Sequence, residues 1–371
     1  MPSLPLADIV VANIHRRYTG VSATVRALMP HLRAQRQVDL FDTGALQLGG
    51  EISFLTLLRR GWTQPSEGRY RIWHARRDVE ILLGVFLRSV LRQPWKVVFT
   101  SAAPKRHGPV LRWIINRSDA IIATSSRAAS FLDWHTVVVH HGVDTQWFSP
   151  PQEPRKQRLQ RSGLVGESEP QVETKSYVTH VARIWPSYAI GQFGRIRYSK
   201  GTDIFVHALI QLLPKHPEFM AVISGLCQEE DQAYLDGLKG DIEKAGLTNR
   251  IVFLGDLTPE VIRDWYQTVS LVVAASRSEG FGLTPLEAMA SGCPVVTSHA
   301  GIWPEVVDEQ VGSLFETGTL NDLVQKLRPY LEEPALLLKK AGQGQDRAVK
   351  KHSIAFEAQE VLKVYDLCQN R

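Results

Sequence analysis

Short apolar runs alternate with helical stretches along most of this 371-residue chain. In the second half, the runs that we interpret as buried strands are AIGQFG (189–194), MAVISG (220–225), IVFLG (251–255), SLVVAAS (270–276) and PVVTS (294–298). Each is short enough for a strand, and the first four are each followed by a segment of helical character. Buried strands separated by helices predict a parallel sheet with right-handed crossovers.

The first half repeats this pattern less regularly. Its strand-like runs are DIVVANI (8–14), QVDLFD (37–42), YRIWHA (70–75), KVVFTS (96–101), AIIATS (120–125) and TVVVHHG (136–142). The sequence therefore predicts an α/β protein with two Rossmann-like, doubly wound parallel-sheet domains that face each other across a cleft. Because open parallel sheets bind ligands at the carboxyl ends of their strands, we expect functional residues in the loops there.

An irregular segment separates the two halves. It has mixed charge and contains Pro151, Pro154, Pro170 and Pro186. A structureless stretch of this length is unusual inside a compact domain, so we predict a linker with an insertion, including a small hairpin around Ser176–Ile184. The predicted organisation is an N-terminal domain over 1–150, the linker over 151–188, a C-terminal domain over 189–350 and a C-terminal helix over 351–371 that packs back on the first domain.

Charge is distributed unevenly between the halves. Residues 1–150 contain 19 lysines and arginines against 10 aspartates and glutamates, whereas the whole chain has 43 against 38. Much of the excess lies between Arg59 and Arg117, which suits an anionic partner such as a phospholipid surface or an anionic glycolipid. A solvated basic face without a partner is the alternative. Nucleic acid is disfavoured, since we find no zinc-ligand spacing, RNA-recognition strand or helix-turn-helix pattern.

The sequence carries no signal for export or for membrane insertion. No apolar run reaches the roughly 18 residues that a membrane helix needs. The N-terminus MPSLPLADIVVAN lacks a basic region followed by an apolar stretch. Cys227, Cys293 and Cys368 are odd in number and far apart, which fits neither a disulfide framework nor a metal site. These features predict a cytoplasmic protein with reduced cysteines.

The most informative motif is SEGFGLTPLE (278–287), which directly follows the run SLVVAAS and so lies at the carboxyl end of a strand. Gly280 and Gly282 allow a sharp turn and a close approach of the backbone to a ligand. Thr284 is typical of a helix N-cap, and Pro285 is typical of the first helical position. The free amides and the dipole of such a helix N-terminus favour an anion.

Two carboxylates flank this turn. Glu279 precedes it and is placed to accept hydrogen bonds from sugar hydroxyls, whereas Glu287, on the first helical turn, is placed to accept them from a ribose. Each has an alternative interpretation. Glu287 completes a capping box with Thr284, which requires no ligand, and Glu279 fits a solvated loop carboxylate.

A second motif, GRIRYSKG (194–201), also follows a strand-like run and precedes a helix. Arg195 and Lys200 lie five residues apart in a short loop, so their side chains are expected to converge on a diphosphate and to stabilise it as it leaves. Taken alone, two surface cations are an equally good interpretation. The presence of Glu279 and Glu287 in the same domain strengthens the functional one.

With these motifs, the chain resembles the retaining glycosyltransferases of family four, which have the GT-B fold. The similarity covers most of the chain and is densest from Ile190 to Val307. The motifs that carry it are HGVD (141–144), GRIRYSKG (194–201), the Glu279–Glu287 element and EAMASGCPVV (287–296). The segments that resemble the lipopolysaccharide core mannosyltransferases more narrowly are FGRIRYSKGTD (193–203), WHARR (73–77) and FTSAA (99–103).

The resemblance implies roles for individual residues in a donor-binding second domain and an acceptor-binding first domain. Arg195 and Lys200 would neutralise the diphosphate, and Glu287 would hold the ribose. The groups that would hold the transferred sugar are Glu279 and the backbone of Gly280, Phe281, Gly282 and Leu283. In the first domain, the matching loop YTGV (18–21) has Thr19 where many relatives have a glycine, so only Gly20 is carried over as a donor contact.

Two histidines are candidate contacts for the acceptor or the sugar. His74 ends the run YRIWHA and is expected to line the cleft, with a buried core histidine as an equal alternative. Relatives often have a histidine just after the fourth strand of the first domain, where this chain reads TSA (100–102). His107 lies several residues further on and is the substitute candidate, with a polar loop histidine as its alternative.

The resemblance also implies GDP-mannose as donor, an inner-core sugar near lipid A as acceptor, and a position on the inner face of the cytoplasmic membrane. A retaining transfer without an obvious nucleophile pair predicts same-face attack by the acceptor hydroxyl. Cationic side chains and helix amides would replace a divalent metal, and no DxD-like triplet accompanies the motifs. The alternatives left open are a UDP-sugar donor with another glycan or lipid acceptor, a GT-B nucleotide-sugar epimerase and a non-catalytic binding module.

Overall fold

A computed structural model of the protein describes residues 6–17, 20–44, 46–102, 106–132, 134, 136–164 and 186–370. The chain divides into two compact units. The first comprises residues 1–142 together with 352–371, and the second comprises residues 143–351. Each unit contains a six-stranded sheet in which neighbouring strands run parallel.

The strands follow the apolar runs of the sequence. Those of the first unit are β1 (Ile9–Asn13), β2 (Val38–Asp42), β3 (Arg71–Ala75), β4 (Trp95–Ser101), β5 (Ala120–Ala123) and β6 (Val137–Val138). Those of the second unit are β7 (Tyr188–Phe193), β8 (Phe219–Ser224), β9 (Ile251–Gly255), β10 (Leu271–Ala274), β11 (Val295–Ser298) and β12 (Gly312–Phe315). The strand orders are β2-β1-β3-β4-β5-β6 and β12-β11-β10-β7-β8-β9. In each sheet the first strand, β1 or β7, is an inner strand, and later strands are added on both sides of it. This order confirms the predicted doubly wound α/β fold.

Helices connect most of the strands. They are α1 (Gly20–Arg33), α2 (Phe54–Arg60), α3 (Asp78–Ser89), α4 (Pro109–Ile115), α5 (Ser126–Ser130), α6 (Arg155–Arg161), α7 (Thr202–Leu212), α8 (Gln232–Lys244), α9 (Pro259–Tyr266), α10 (Thr284–Ala290), α11 (Trp303–Val306), α12 (Leu320–Glu332), α13 (Ala335–Lys351) and α14 (Ile354–Gln369). The first unit contains α1 to α5 and α14, and the second contains α6 to α13. Among the described residues, no helix combines the length and the apolar character that a membrane crossing requires.

The sheet of the first unit is packed on both faces, because successive side chains of a strand point in opposite directions. Ile9 and Val11 of β1 join a buried cluster with residues of α1 and α14. Val10 and Ala12 of the same strand join a second cluster with residues of α2 to α5. The C-terminal helix α14 therefore contributes to the core of the first unit, although it is distant from the other elements of that unit in sequence.

The segment 151–188 is less irregular than predicted, because Arg155–Arg161 forms α6. The Arg155 guanidinium donates hydrogen bonds to the carbonyl oxygens of Tyr266 at 2.7 Å and Val269 at 2.6 Å. These bonds hold α6 against the rest of the second unit. Only Leu159 of this helix is buried, so its apolar pattern was too weak to predict it. The predicted hairpin around Ser176–Ile184 lies outside the described residues.

Candidate active site

Two adjacent strands of the second sheet carry the two motif loops. β7 and β10 pair in parallel, with Ile190 opposite Leu271, so their carboxyl ends lie side by side. The chain continues from β7 to β8 on one side, whereas β10 is followed by β11 on the other. This is the topological switch point of the sheet, where open α/β sheets form their ligand crevice. The loops 194–201 and 275–283 begin at that point.

Arg195, Lys200 and Glu279 line one polar cavity at the switch point, together with Trp303. Lys200 Nζ donates a hydrogen bond to Glu279 Oε2 at 2.5 Å, and the two side chains are 23% and 18% exposed. Arg195 Nη1 donates to Gln228 Oε1 at 3.2 Å. The structure thus brings together the three residues that the sequence predicted to be catalytic. Two cations and a carboxylate in one cavity suit a ligand that carries both a diphosphate and hydroxyl groups.

Two glycines allow close packing of the motif loops, Gly201 against the backbone of the loop 275–283 and Gly282 against the side chain of Trp303. Gly201 has a φ of 68°, and a Cβ there would lie 2.0 Å from the carbonyl oxygen of Ala275. Gly282 has a φ of 83°, and a Cβ there would lie 2.5 Å from Nε1 of Trp303. That indole nitrogen donates a hydrogen bond to the Gly282 carbonyl at 3.0 Å. Glycine is required at both positions, because a side chain would be strained and would have no space.

Helix α10 begins one residue earlier than predicted. Leu283 has a helical backbone, with φ −75° and ψ −20°, and no side chain caps the first turn. Thr284 is therefore the first helical residue, and its predicted role as N-cap is wrong. In the preceding turn, Gly280 and Leu283 are half-buried and Phe281 is buried. Their predicted backbone contacts with the transferred sugar stay predictions.

Glu287 faces Tyr266 and does not cap the first turn of α10. Its Oε2 accepts a hydrogen bond from the Tyr266 hydroxyl at 2.7 Å, so the capping box with Thr284 is not formed. Burial raises the pKa of the Glu287 carboxyl, although the Tyr266 hydrogen bond opposes it. Burial, together with the adjacent Glu287 charge, raises the pKa of Tyr266 well above its usual value. Glu287 is not among the described residues that line the cavity with Lys200, and its ribose contact stays a prediction.

Comparison with known proteins identifies the family. A model of the family described as Glycosyl transferases group 1 matches residues 186–347. The chain is 40% identical over 338 residues to the lipopolysaccharide core biosynthesis mannosyltransferase LpcC of Rhizobium leguminosarum bv. viciae, which covers 91% of this chain and 89% of that protein. The chain belongs to the group 1 glycosyltransferases. The resemblance predicted from the motifs is thereby confirmed.

Two further comparisons extend the match over nearly the whole length of this glycosyltransferase. It is 36% identical over 363 residues to the lipopolysaccharide core biosynthesis mannosyltransferase LpsB of Rhizobium meliloti (strain 1021), with 97% of each chain covered. The crystal structure of Anabaena HepE in complex with UDP has a TM-score of 0.75 at 19% identity, over 97% of this chain and 99% of that one. The fold of the chain is therefore that of the GT-B glycosyltransferases.

His74 of the glycosyltransferase is a core residue of the first unit. It is fully buried on β3, which lies between β1 and β4. Its Nδ1 is 2.5 Å from the Tyr365 hydroxyl and its Nε2 is 2.7 Å from the Thr100 hydroxyl, so both ring nitrogens have partners. Burial and the nearby Arg76 charge lower the pKa of the imidazole well below its usual value. The structure contradicts the predicted contact of His74 with acceptor or sugar, because the ring is inaccessible and fully hydrogen-bonded.

The other two candidate residues of the first unit lie at its surface. Gly20 is the exposed first residue of α1, and a Cβ there would have nothing within 4 Å. The neighbouring Tyr18 and Thr19 lie outside the described residues. His107 is half-buried in the loop that precedes α4. The predicted contacts of Gly20 with the donor and of His107 with the acceptor stay predictions.

The structure adds residues that the motifs did not indicate. Trp303 of α11 is 1% exposed and lies against Gly282 in the wall of the cavity. Arg277 and Asp203 form an ion pair beside the motif loops, with Nη2 2.7 Å from Oδ2. Asp203 ends the segment FGRIRYSKGTD (193–203) and Arg277 precedes the motif SEGFGLTPLE (278–287), but neither segment indicated that the two residues pair. Trp303 had no signal in the sequence. Among the described residues, no group of three or more His, Cys, Asp and Glu side chains is placed to hold a metal ion.

Proposed function

We propose that this glycosyltransferase transfers mannose from GDP-mannose to an inner-core sugar of lipopolysaccharide. The observation that carries the proposal is the convergence of Arg195, Lys200 and Glu279 in one cavity at the switch point of the second sheet. Cationic side chains suit a nucleoside diphosphate, and a carboxylate suits sugar hydroxyls. The sugar and the acceptor are proposed from the two Rhizobium relatives, which are named as mannosyltransferases of lipopolysaccharide core biosynthesis and align over 91% and 97% of this chain.

In the proposed reaction, Arg195 and Lys200 stabilise the negative charge that builds on the diphosphate as its bond to the anomeric carbon breaks. Glu279 exchanges its hydrogen bond from Lys200 for hydrogen bonds from mannose hydroxyls. The acceptor hydroxyl attacks the anomeric carbon from the face that the diphosphate leaves, and its proton passes to the departing phosphate oxygen. The configuration at the anomeric carbon is thereby retained. Because side chains supply the positive charge, the proposed transfer needs no divalent metal.

The donor is tested by ligand-dependent thermal stability. We expect GDP-mannose to raise the melting temperature more than UDP-glucose, UDP-N-acetylglucosamine or ADP-glucose, because a ligand that binds only the folded state stabilises it. At a concentration of one hundred times Kd, the stabilisation is about 2.7 kcal/mol. A transfer assay with a core oligosaccharide then follows the product by NMR, and we expect a retained anomeric configuration and a rate that is insensitive to EDTA.

Other outcomes of these assays distinguish the alternatives. A larger shift with a UDP-sugar would replace the donor assignment without changing the reaction class. Release of the free sugar with no requirement for an acceptor would favour an epimerase. Loss of transfer in EDTA would contradict metal independence, and an inverted product would contradict the proposed same-face attack.

We further propose that the first unit docks on an anionic membrane surface, at the inner face of the cytoplasmic membrane, where a glycolipid acceptor is accessible. Val79, Leu82 and Phe86 of α3 are 46%, 43% and 39% exposed, and Val90 after the helix is 65% exposed. Their spacing of three and four residues forms an apolar stripe along one helix face. Exposed arginines that accompany this stripe in sequence are Arg92, Arg106 and Arg112. Exposed apolar side chains and exposed cations on the same unit suit the interface of a bilayer with anionic head groups.

Vesicle binding tests this docking surface. We expect the protein to sediment with vesicles that contain phosphatidylglycerol at low ionic strength, and to be released by salt as the charges are screened. Replacing Leu82, Phe86 and Val90 by serine is expected to weaken binding by roughly tenfold or more, because each side chain is only partly exposed and would add only a fraction of the about 1.5–3 kcal/mol of full burial. Leu338→Ser in α13 is the matched control, since Leu338 is 81% exposed in the second unit. Equal binding by the triple variant would contradict the assignment of the stripe.

A further inference from the structure

Arg277 connects the end of β10 to the loop 194–201. Its guanidinium forms a bidentate ion pair with Asp203, with Nη1 donating to Oδ1 at 2.8 Å and Nη2 to Oδ2 at 2.7 Å. Nη1 also donates to the carbonyl oxygen of Tyr198 at 2.6 Å. The backbone amide of Arg277 donates to the carbonyl oxygen of Ser199 at 2.8 Å. One residue therefore holds the chain both before and after Lys200.

Two tyrosines reinforce this ion pair. The Arg277 guanidinium lies 3.8 Å from the centroid of the Tyr198 ring, a cation–π contact. The Tyr234 hydroxyl donates to Asp203 Oδ1 at 2.9 Å and accepts a hydrogen bond from the Asp203 amide at 2.8 Å. Burial alone would raise the pKa of the Asp203 carboxyl, but the hydrogen bonds from Arg277 and Tyr234 together lower it. The carboxylate is thus charged at neutral pH.

On the proposed function, the direct hydrogen bond between Lys200 and Glu279 does not hold the two loops together once the donor is bound. On the proposed function, a bound donor separates these side chains, because the diphosphate engages Lys200 and the sugar engages Glu279. The ion pair between Arg277 and Asp203 is independent of that exchange, since neither is among the described residues that line the cavity. It therefore persists in the step in which the Lys200–Glu279 hydrogen bond is lost.

We infer that Arg277 is a positioning residue: through Asp203 and the backbone of Tyr198 and Ser199, it sets the distance between Lys200 and Glu279 when the donor is bound. Arg277 lies only two residues before Glu279 in the chain. Its contacts with Asp203, Tyr198 and Ser199 therefore restrict the position of Glu279 relative to the loop 194–201. A shift of about 1 Å in groups that contact the transition state costs on the order of 10²-fold in rate. The inference rests on the proposed function, in that Lys200 and Glu279 must act on the donor.

The test compares Arg277→Gln in two backgrounds. In the wild-type background we expect kcat to fall by about 10- to 100-fold, with the KM for the acceptor unchanged. In the Lys200→Ala background we expect the same substitution to cost less than about threefold, because no lysine remains to be positioned. Arg277→Lys is expected to restore only part of the rate, since an ammonium group cannot make the bidentate contact.

Arg263→Gln is the matched control variant. Arg263 also stacks over an aromatic ring, 4.4 Å from the centroid of Trp147, and pairs with Asp264 at 3.1 Å in the same unit. It lies outside the motif loops, so we expect turnover close to that of the wild type. If Arg277→Gln lowers the melting temperature strongly, Asp203→Asn provides the milder variant, because it removes one charge and keeps the side-chain shape.

The outcomes separate this inference from the proposed function. The assays use whichever nucleotide sugar raises the melting temperature of the wild-type protein most. If that donor is not GDP-mannose, the proposed donor is wrong, but the test of Arg277 is still valid. Calorimetry gives the same test without turnover: the variant is expected to bind the nucleoside diphosphate normally and to lose the extra affinity that the sugar provides. Wild-type kcat in Arg277→Gln, or an equal loss in both backgrounds, would overturn the positioning role.

Discussion

Lys200→Ala is expected to lower kcat by about 10²- to 10³-fold, and Glu279→Ala to lower it to a similar extent. Lys200 brings a positive charge into the cavity where the leaving diphosphate would accumulate negative charge, and Glu279 is the carboxylate in contact with it at 2.5 Å. The loss is expected mainly in kcat, because the charge on the diphosphate is greatest in the transition state. Initial rates at saturating donor, with the variants compared at equal concentration, measure the effect.

The fold is expected to survive both substitutions. Partly exposed ion pairs contribute about 0–1 kcal/mol to stability, and both side chains retain solvent access. Melting temperatures close to that of the wild type would therefore accompany the loss of turnover. Lys244→Ala on α8 is the matched control, since that lysine is 81% exposed and outside the cavity. Near-normal transfer by either active-site variant would refute the site.

The fold was predictable because buried parallel strands leave a simple signature. A strand covered on both faces must be apolar at successive positions, and the run MAVISG at 220–225 overlaps almost all of β8, in which every residue is buried. Helix α6 was missed for the converse reason, since a surface helix with one buried residue, Leu159, has almost no apolar pattern. The start of α10 was misplaced by one residue because Thr284 and Pro285 fit two neighbouring registers equally well. Short-range patterns fix the identity of an element better than its ends.

The candidate site was predictable where chemistry and position coincided in the sequence. Lys200 and Glu279 each follow a strand that ends at the switch point, so the topology alone brings their loops together. Partners from elsewhere in the chain were not predictable. Asp203 and Arg277 are separated by 74 residues, and no spacing rule connects them.

Two side chains for which the sequence left alternatives open show the same limit. His74 was compatible with a site or with the core, and only the packing of α14, through Tyr365, decides that it is a core residue. Glu287 was compatible with a ribose contact or with a capping box, and its hydrogen bond from the Tyr266 hydroxyl excludes only the capping box. In each case the deciding partner is more than 20 residues away, with separations of 291 and 21. Local sequence offers the candidate roles, and the tertiary partner removes one of them.

Glu357→Ala is expected to destabilise the first unit by several kcal/mol, because each buried hydrogen-bonding group that loses its partner costs about 1–3 kcal/mol. Glu357 is 5% exposed on α14. Its Oε1 is 2.9 Å from His141 Nδ1, and its Oε2 accepts a hydrogen bond from the Gly142 amide at 2.8 Å. The backbones of Gly142 and Ile354 lie close together, since a Cβ on Gly142 would lie 2.5 Å from the backbone of Ile354. Alanine would leave a buried imidazole and a buried amide without these partners.

Glu360→Ala on the same helix is the matched control. Glu360 is 30% exposed and pairs with Lys363 at 2.6 Å, a surface contact that contributes about 0.3–0.5 kcal/mol. Urea unfolding of the two variants should therefore differ by several kcal/mol, with turnover per folded molecule preserved in both. The difference follows from position, because the two carboxylates lie one turn apart and only Glu357 faces the core. Equal stability of the two variants would show that solvent reaches Glu357 and that α14 is not held to the first unit by this carboxylate.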